Sequence, residues 1–187
     1  MILAIDYDGT IADTNAEKVK WIRAHLDRDI PPWHCNRTEC VPQIGESAYD
    51  NMGDYVYERI STMQALEVSG GLNALRTLAL SNELHLVTAR PLSRLELAKE
   101  WLDRQGALRL FKGLHSAHET AKADICSDIG AHVLIDDDAR HLAKVDLPDL
   151  SRILLQSDRG DVPVLAEGML FFSRWSEVVD HIEDYSP

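Results

Sequence analysis

The chain has 187 residues, of which 45% are hydrophobic and 27% charged, and its formal net charge is −12. This length and composition are typical of one soluble globular domain, or one domain with an insertion. No apolar run reaches the roughly 20 residues that cross a bilayer, and no secretory signal is present, so we expect a cytoplasmic protein. The acidic balance disfavours nucleic acid as a partner, since such binding depends on Lys and Arg at the phosphates.

The first predicted element is a buried strand over Ile2–Ile5, because the run is apolar throughout and does not alternate. Asp6 and Asp8 follow it directly. Ligand sites of open α/β sheets lie at the carboxyl ends of strands, which is where these two carboxylates are expected. Carboxylates two residues apart on one face repel each other unless a cation joins them, which indicates Mg²⁺. By itself, the segment also fits an acidic turn.

A helical insertion is predicted over residues 15–68. Thr14-Asn15-Ala16-Glu17 has the form of a capping box and begins a helix that should end before Pro31-Pro32. Residues 31–47 show no hydrophobic period and are predicted to be irregular. A second helical stripe covers about 48–66.

After Ser69-Gly70-Gly71 the chain alternates between helices and strands. The predicted strands cover residues 83–88, 108–111, 132–135 and 152–155, and the predicted helices cover residues 72–80, 91–105, 121–129 and 175–182. Residues 169–172 are apolar and receive no assignment. This alternation predicts an α/β fold with a mainly parallel sheet.

Polar residues lie at or directly after the ends of three predicted strands, and one more begins the helix that precedes the third of these strands. In chain order they are Asp6, Asp8, Thr88, Lys122, Asp136 and Asp137. These residue types suit phosphoryl transfer. One carboxylate can attack phosphorus and a second can move the proton, while a hydroxyl and an ammonium bind the phosphoryl oxygens. Further carboxylates can hold magnesium.

This arrangement resembles the haloacid dehalogenase (HAD) superfamily over residues 1 to about 140. The four matching motifs are Asp6-Tyr7-Asp8-Gly9-Thr10, Thr88, Lys122 and Leu134-Ile135-Asp136-Asp137. The resemblance implies a Rossmann-like core over 1–14 and 69–187, flanked by helices, with a small helical cap over 15–68. A narrower similarity, in Val87-Thr88-Ala89-Arg90-Pro91 and in the placement of the insertion, is to the 5'(3')-deoxyribonucleotidase branch.

The resemblance also implies a role for each acidic residue. Asp6 would be the nucleophile and a Mg²⁺ ligand. Asp8 would be the general acid and base, and its backbone carbonyl would also bind the metal. Asp136 would be a metal ligand, and Asp137 would bind the metal directly or through water.

The phosphoryl group is expected to bind Thr88 and Lys122. Lys112 is the alternative to Lys122, which we favour because it leads into the helix before the Asp136 strand. Arg90 fits either contact with a substrate or a structural salt bridge. The neighbouring residues assigned to phosphate binding are Gly9, Thr10 and Ala89.

Two features of the insertion leave alternatives open. The spacing of His34-Cys35 and Cys40 matches no common zinc pattern, so packing is favoured over a soft-metal site. The aromatic residues could either pack or stack a nucleobase; they are Trp21, Trp33, Tyr49, Tyr55 and Tyr57.

The sequence therefore predicts a Mg²⁺-dependent phosphatase that acts on a small phosphorylated substrate, with nucleoside monophosphates as one candidate. The alternatives are another phosphorylated metabolite or a nucleic-acid 3'-phosphate end. A third alternative is a HAD-like protein that binds a ligand or partner without turnover.

Overall fold

The computed structural model describes residues 1–185. Its centre is a six-stranded sheet with the order β3-β2-β1-β4-β5-β6, and all adjacent strands pair in parallel. The strands are β1 (Ile2–Ile5), β2 (Glu83–Thr88), β3 (Phe111–Ser116), β4 (Val133–Asp136), β5 (Ser151–Leu155) and β6 (Met169–Phe172). The prediction of a Rossmann-like α/β fold is confirmed.

Helices connect and cover these strands. The α-helices are α1 (Thr14–Leu26), α2 (Arg37–Ile44), α3 (Glu46–Val56), α4 (Arg59–Gln64), α5 (Gly71–Leu78), α6 (Leu92–Arg104), α7 (Lys122–Ile129), α8 (Ala139–Ala143) and α9 (Trp175–Tyr185). Short 3-10 helices cover Pro32–His34 and Leu108–Leu110. No helix among the described residues has the length and apolar character needed to cross a membrane.

Both faces of the sheet are buried, which explains why its central strands are apolar without alternation. Successive side chains of β1 point to opposite faces. Leu3 and Ile5 join one hydrophobic cluster together with Trp101 and Trp175, whereas Ala4 joins a second cluster on the other face.

Helices α1 and α3, with the segment between them, enclose a third hydrophobic cluster. It contains Trp21, Ile22, Ile30, Cys35, Cys40, Met52 and Val56. Helices α1 to α4, residues 14–64, form the helical region of the chain. The chain enters and leaves it through two adjacent segments, since Ala12 and Glu67 form an antiparallel bridge. The division into a core over 1–14 and 69–187 and a cap over 15–68 stays a prediction.

The structure corrects the prediction for the insertion. Residues 31–47 are not irregular, because Asn36 caps helix α2 by accepting a hydrogen bond from the Glu39 amide at 3.2 Å. The predicted helix over 48–66 is two helices, α3 and α4, separated at Tyr57-Glu58. Short capped helices show too few turns for a hydrophobic period to be visible in the sequence.

Three local predictions also change. The N-cap of α1 is Asp13, whose Oδ1 accepts from the Ala16 amide at 3.0 Å, instead of Thr14. Residues 108–110 form a 3-10 helix, and strand β3 begins only at Phe111. The unassigned run at 169–172 is the edge strand β6, which pairs with β5.

Candidate active site

The strand order brings two carboxylates together at one edge of the sheet, the edge that the carboxyl ends of the parallel strands form. Asp6 directly follows β1, and Asp136 ends the adjacent strand β4. The order reverses between these strands, which is where ligands of open α/β sheets bind. Both side chains are buried, with exposed fractions of 4% for Asp6 and 0% for Asp136. Carboxylate oxygens of Asp6, Asp136 and Asp137 lie within 4.8 Å of one another, a donor set that fits a hard divalent cation.

Lys122 connects the two strand ends. It is the first residue of α7, and its Nζ donates to Asp6 Oδ1 at 2.8 Å and to Asp136 Oδ2 at 2.7 Å. Lys112 lies elsewhere, since its side chain is 70% exposed and 3.8 Å from Glu83 Oε2 at the start of β2. The structure therefore brings Lys122 to the carboxylates and leaves Lys112 at the opposite edge of the sheet, where the amino ends of the strands lie.

The three clustered carboxylates differ in their electrostatics. Burial raises the pKa of Asp6 to about 6, although Lys122 acts in the opposite direction. Burial opposes the ionisation of Asp136 as well, but contact with Lys122 lowers the pKa of Asp136 below its ordinary value. Burial, and then the charges of Asp136 and Asp6, raise the pKa of Asp137 well above its ordinary value. A bound divalent cation would favour the ionised form of all three.

Asp8 has a different partner from Asp6. Arg90 donates from Nε to Asp8 Oδ2 and from Nη2 to Asp8 Oδ1, both at 2.8 Å. The Arg90 guanidinium lies 4.8 Å from the Tyr7 ring centroid and 5.3 Å from that of Tyr57. Arg90 thus forms the salt bridge that the sequence left as one of two alternatives, and its contact with substrate stays a prediction.

The remaining predicted phosphate-binding residues surround these groups. Thr88 ends β2, is fully buried, and accepts at Oγ1 from the Arg90 amide at 3.3 Å. Thr10 is fully buried, and its hydroxyl has no hydrogen-bond partner among the described residues. Ala89 lines the cavity described below.

Gly9 allows Asp137 to approach the turn after β1. Its φ is +76°, and a Cβ at this position would lie 2.2 Å from Asp137 Oδ2 and 2.4 Å from Asn15 Nδ2. Only glycine has both the conformational freedom and the space that this approach needs.

Three polar residues of the site were missed by the sequence reasoning. Asn15 Nδ2 donates to Asp137 Oδ2 at 2.6 Å, Lys18 Nζ donates to Asn15 Oδ1 at 3.0 Å, and Gln156 Nε2 donates to the Asp137 carbonyl at 3.0 Å. The spacing of Asn15 and Lys18 by three residues, directly after the first motif, places both on one face of a helix and was the available signal.

A cavity of about 710 Å³ separates the carboxylates from the helical region. Its volume lies in the usual range for small-molecule sites. From the helical region, the cavity is lined by Lys18, Trp33, Tyr49 and Tyr57. Trp21 instead packs in the hydrophobic cluster of that region, and Tyr55 is 51% exposed.

The cysteines of the helical region serve packing. Cys35 and Cys40 are both fully buried in its hydrophobic cluster, and His34 Nδ1 lies 2.9 Å from Glu39 Oε1. In the described part of the chain, no group with metal-ligand spacing includes these residues. The interpretation as packing fits the structure.

No protein-family model and no curated protein matches the chain. Several solved structures, in contrast, are similar to the chain. A HAD-family hydrolase from Deinococcus radiodurans, with bound phosphate and sodium, has a TM-score of 0.68 and 12% identity over 98% of this chain and 95% of that chain. A predicted phosphoglycolate phosphatase from Haemophilus somnus has a TM-score of 0.63 and 12% identity over 97% of both chains.

A third similar structure is a HAD-type hydrolase from Bacillus subtilis bound to magnesium, with a TM-score of 0.62 and 14% identity over 97% of both chains. These likenesses show that the chain has the fold of HAD-superfamily hydrolases, which is the fold that the sequence motifs predicted. The narrower assignment to the deoxyribonucleotidase branch stays a prediction.

Proposed function

We propose that the protein is a Mg²⁺-dependent phosphomonoester hydrolase that acts through an aspartyl-phosphate at Asp6. The observation that carries this proposal is the pair of buried strand ends, at which Lys122 joins Asp6 to Asp136 while Arg90 holds Asp8 apart. The phosphate and magnesium bound by similar structures support the same chemistry.

Asp6, Asp136 and Asp137 would hold the metal, and a bound Mg²⁺ would offset the negative charge that otherwise repels a phosphate substrate. A carboxylate oxygen of Asp6 attacks phosphorus and the ester bond breaks. For this step one Asp8 oxygen must leave its contact with Arg90 and carry a proton, which Asp8 gives to the leaving oxygen. Asp8 then takes a proton from the water that attacks phosphorus. Phosphate leaves, and Asp6 is regenerated as a carboxylate.

Lys122 and Thr88 bind the phosphoryl oxygens in this proposal. An ammonium has three N–H donors, and Lys122 uses two of them on Asp6 and Asp136. No other described residue accepts from Lys122, and this proposal assigns the third donor to the substrate. The bidentate contact with Arg90 sets the orientation of the Asp8 carboxylate.

For the leaving group, we propose a small organic moiety, with a nucleoside as the first candidate. The rings of Trp33, Tyr49 and Tyr57 line the cavity. Arg159 lies against Trp33 and Arg37 against Tyr49, so a base would stack on the opposite face of either ring. Another phosphorylated metabolite is the second candidate, which the similarity to a predicted phosphoglycolate phosphatase favours. The cytoplasmic location and the absence of a nucleic-acid partner stay predictions.

The test is hydrolysis of an aryl phosphate and a panel of phosphomonoesters, with and without Mg²⁺. Asp6→Asn should lower kcat at least about 1000-fold, because the amide cannot attack phosphorus. The matched control is Asp103→Asn, a change at an exposed helical position, which should retain full activity.

Circular dichroism would check that both variants are folded. Activity retained by a folded Asp6→Asn would contradict the mechanism. A wild-type protein that binds phosphate but hydrolyses no member of the panel would favour the non-catalytic alternative.

A further inference from the structure

Three Lys and Arg side chains among the described residues are more than nine-tenths buried, namely Lys18, Arg90 and Lys122. Lys122 forms ion pairs with two carboxylates, and Arg90 forms one with Asp8. Lys18 differs from both. Its Nζ donates to the neutral amide oxygen of Asn15 at 3.0 Å and lies 5.8 Å from the Tyr57 ring centroid, and it forms no ion pair with a described carboxylate.

The Lys18 ammonium has lost its hydration and has no contact ion pair among the described residues, so hydrogen bonds and more distant negative charge stabilise it. Burial lowers the pKa of Lys18, but Tyr57 and Tyr49, and then Asp137 and Asp8, raise it above its ordinary value. Lys18 therefore keeps its charge at neutral pH. The arrangement is stabilised when an anion enters the cavity and contacts the ammonium.

Lys18 is also close to the acidic cluster. Asn15 accepts from Lys18 at Oδ1 and donates from Nδ2 to Asp137 Oδ2 at 2.6 Å, so a single side-chain amide separates the ammonium from the cluster. Lys18 lines the same cavity as Asp6 and Asp8. The ring of Tyr57 lies beside both Lys18 and the Arg90 guanidinium that holds Asp8.

We propose that Lys18 is a substrate-binding residue, whose ammonium donates from the helical region to a non-bridging phosphoryl oxygen in the cavity that Asp6 and Thr88 also line. The proposal rests on the proposed function, since the phosphoryl group is the anion that this function brings to the cavity. Of the three N–H donors of Lys18, Asn15 accepts one and the Tyr57 side chain is in hydrogen-bond contact with another, which leaves one donor for phosphate among the described residues. Substrate binding then links α1 to the edge of the sheet.

The test uses orthophosphate as the probe and isothermal titration calorimetry on the full chain in Mg²⁺. Lys18→Met keeps the unbranched stem and removes the charge. A hydrogen bond between charged groups accounts for about a tenfold or larger factor in affinity, so the Kd for orthophosphate should rise by at least about tenfold. The matched control, Lys20→Met, changes a 64% exposed lysine of the same helix and should leave the Kd unchanged.

Two further measurements separate binding from a structural role. Ligand-free Lys18→Met should unfold cooperatively and close to the wild-type temperature, since Lys18 has no contact ion pair among the described residues to lose. Lys18→Arg should retain more affinity than Lys18→Met. A large destabilisation by Lys18→Met with unchanged phosphate affinity would overturn the proposal, as would a wild-type protein that binds no orthophosphate.

Because the titration requires no turnover, its result is independent of the hydrolysis assay on Asp6→Asn. Phosphate binding that depends on Lys18, in a protein without hydrolytic activity, would retain this inference as a phosphate site and reject the enzymatic function.

Discussion

The edge of the sheet and the helical region over 14–64 hold their polar side chains in different ways. At the edge, Asp6 and Asp136 extend from adjacent buried strands and meet Lys122 at 2.8 and 2.7 Å. In the helical region, contacts such as that of Arg37 with Asp50 join side chains that are 48% and 56% exposed. Exposed ion pairs contribute little to stability, whereas a buried pair costs several kcal/mol when one partner is removed.

In the proposed function, the reacting groups lie at the buried strand ends, and the residues that recognise the leaving group lie in the helical region. Reacting groups must hold their geometry closely, and two buried parallel strands provide a rigid frame for them. In the proposed function, the wall formed by Trp33, Tyr49 and Tyr57 would contact the leaving group; of these three, Tyr57 also lies against the Arg90 guanidinium that binds Asp8. Substitutions at the edge should therefore affect both stability and turnover, and substitutions in the wall should affect KM.

The largest effect is expected for Lys122→Met. This variant leaves Asp6 and Asp136 buried without their cation, so the free energy of unfolding at pH 7 should fall by about 3–5 kcal/mol. Hydrolysis should fall by at least about 100-fold, because a donor to the phosphoryl group is lost. Urea unfolding and steady-state kinetics measure the two effects.

The matched control is Lys112→Met, which changes a 70% exposed lysine at the opposite edge of the sheet. It should alter the free energy of unfolding by no more than about 0.5 kcal/mol. If the two variants behaved alike, the buried cluster would not be the rigid part of the molecule.

A smaller effect is expected for Trp33→Ala in the cavity wall. Stacking of a base on an aromatic ring contributes about 1–3 kcal/mol, so KM for a nucleoside monophosphate should rise about tenfold while kcat changes little. KM for a small aliphatic phosphomonoester should stay the same. Tyr55→Ala is the control, since Tyr55 is 51% exposed. An unchanged KM for nucleotides would argue against the nucleotidase assignment.

The smallest expected effect is a pH-dependent shift in thermal stability. The pKa of Asp6 is about 6 in the folded protein, whereas the ordinary pKa of an aspartate side chain is 3.8. Between these two values the folded state binds more protons than the unfolded state. Stability of the metal-free protein should therefore fall as pH rises through this window.

Differential scanning fluorimetry at pH 5 and pH 7 measures this shift. The control Asp6→Asn lacks the part due to Asp6 and keeps the part due to Asp137, whose pKa is also raised. At pH 7, Mg²⁺ at ten times its Kd should raise the melting temperature by about 3–5 °C. The increase should be smaller at pH 5, where protons compete for Asp6. An equal effect of Mg²⁺ at both pH values, in wild type and in Asp6→Asn, would exclude Asp6 as a ligand.

The parts of the fold with a strong local signal could be predicted from the sequence. β1, β2 and β4 are short apolar runs, and the polar residues Asp6, Thr88 and Asp136 mark their carboxyl ends. Helix α2 and the break between α3 and α4 could not be predicted, since α2 spans little more than two turns and the break interrupts a continuous hydrophobic stripe.

The sequence by itself determined the parallel α/β sheet and the set of polar residues at its strand ends, because strand burial and strand ends leave a pattern within a few residues. Tertiary structure decided which of these residues meet. Lys122 contacts Asp6 across 116 positions of the chain, and Arg90 contacts Asp8 across 82. The position of Lys122 before the Asp136 strand already favoured it over Lys112. Its contacts with Asp6 and Asp136, the pairing of Arg90 with Asp8, and the burial of Lys18 without an ion pair among the described residues depend on distances between distant segments, which no local pattern encodes.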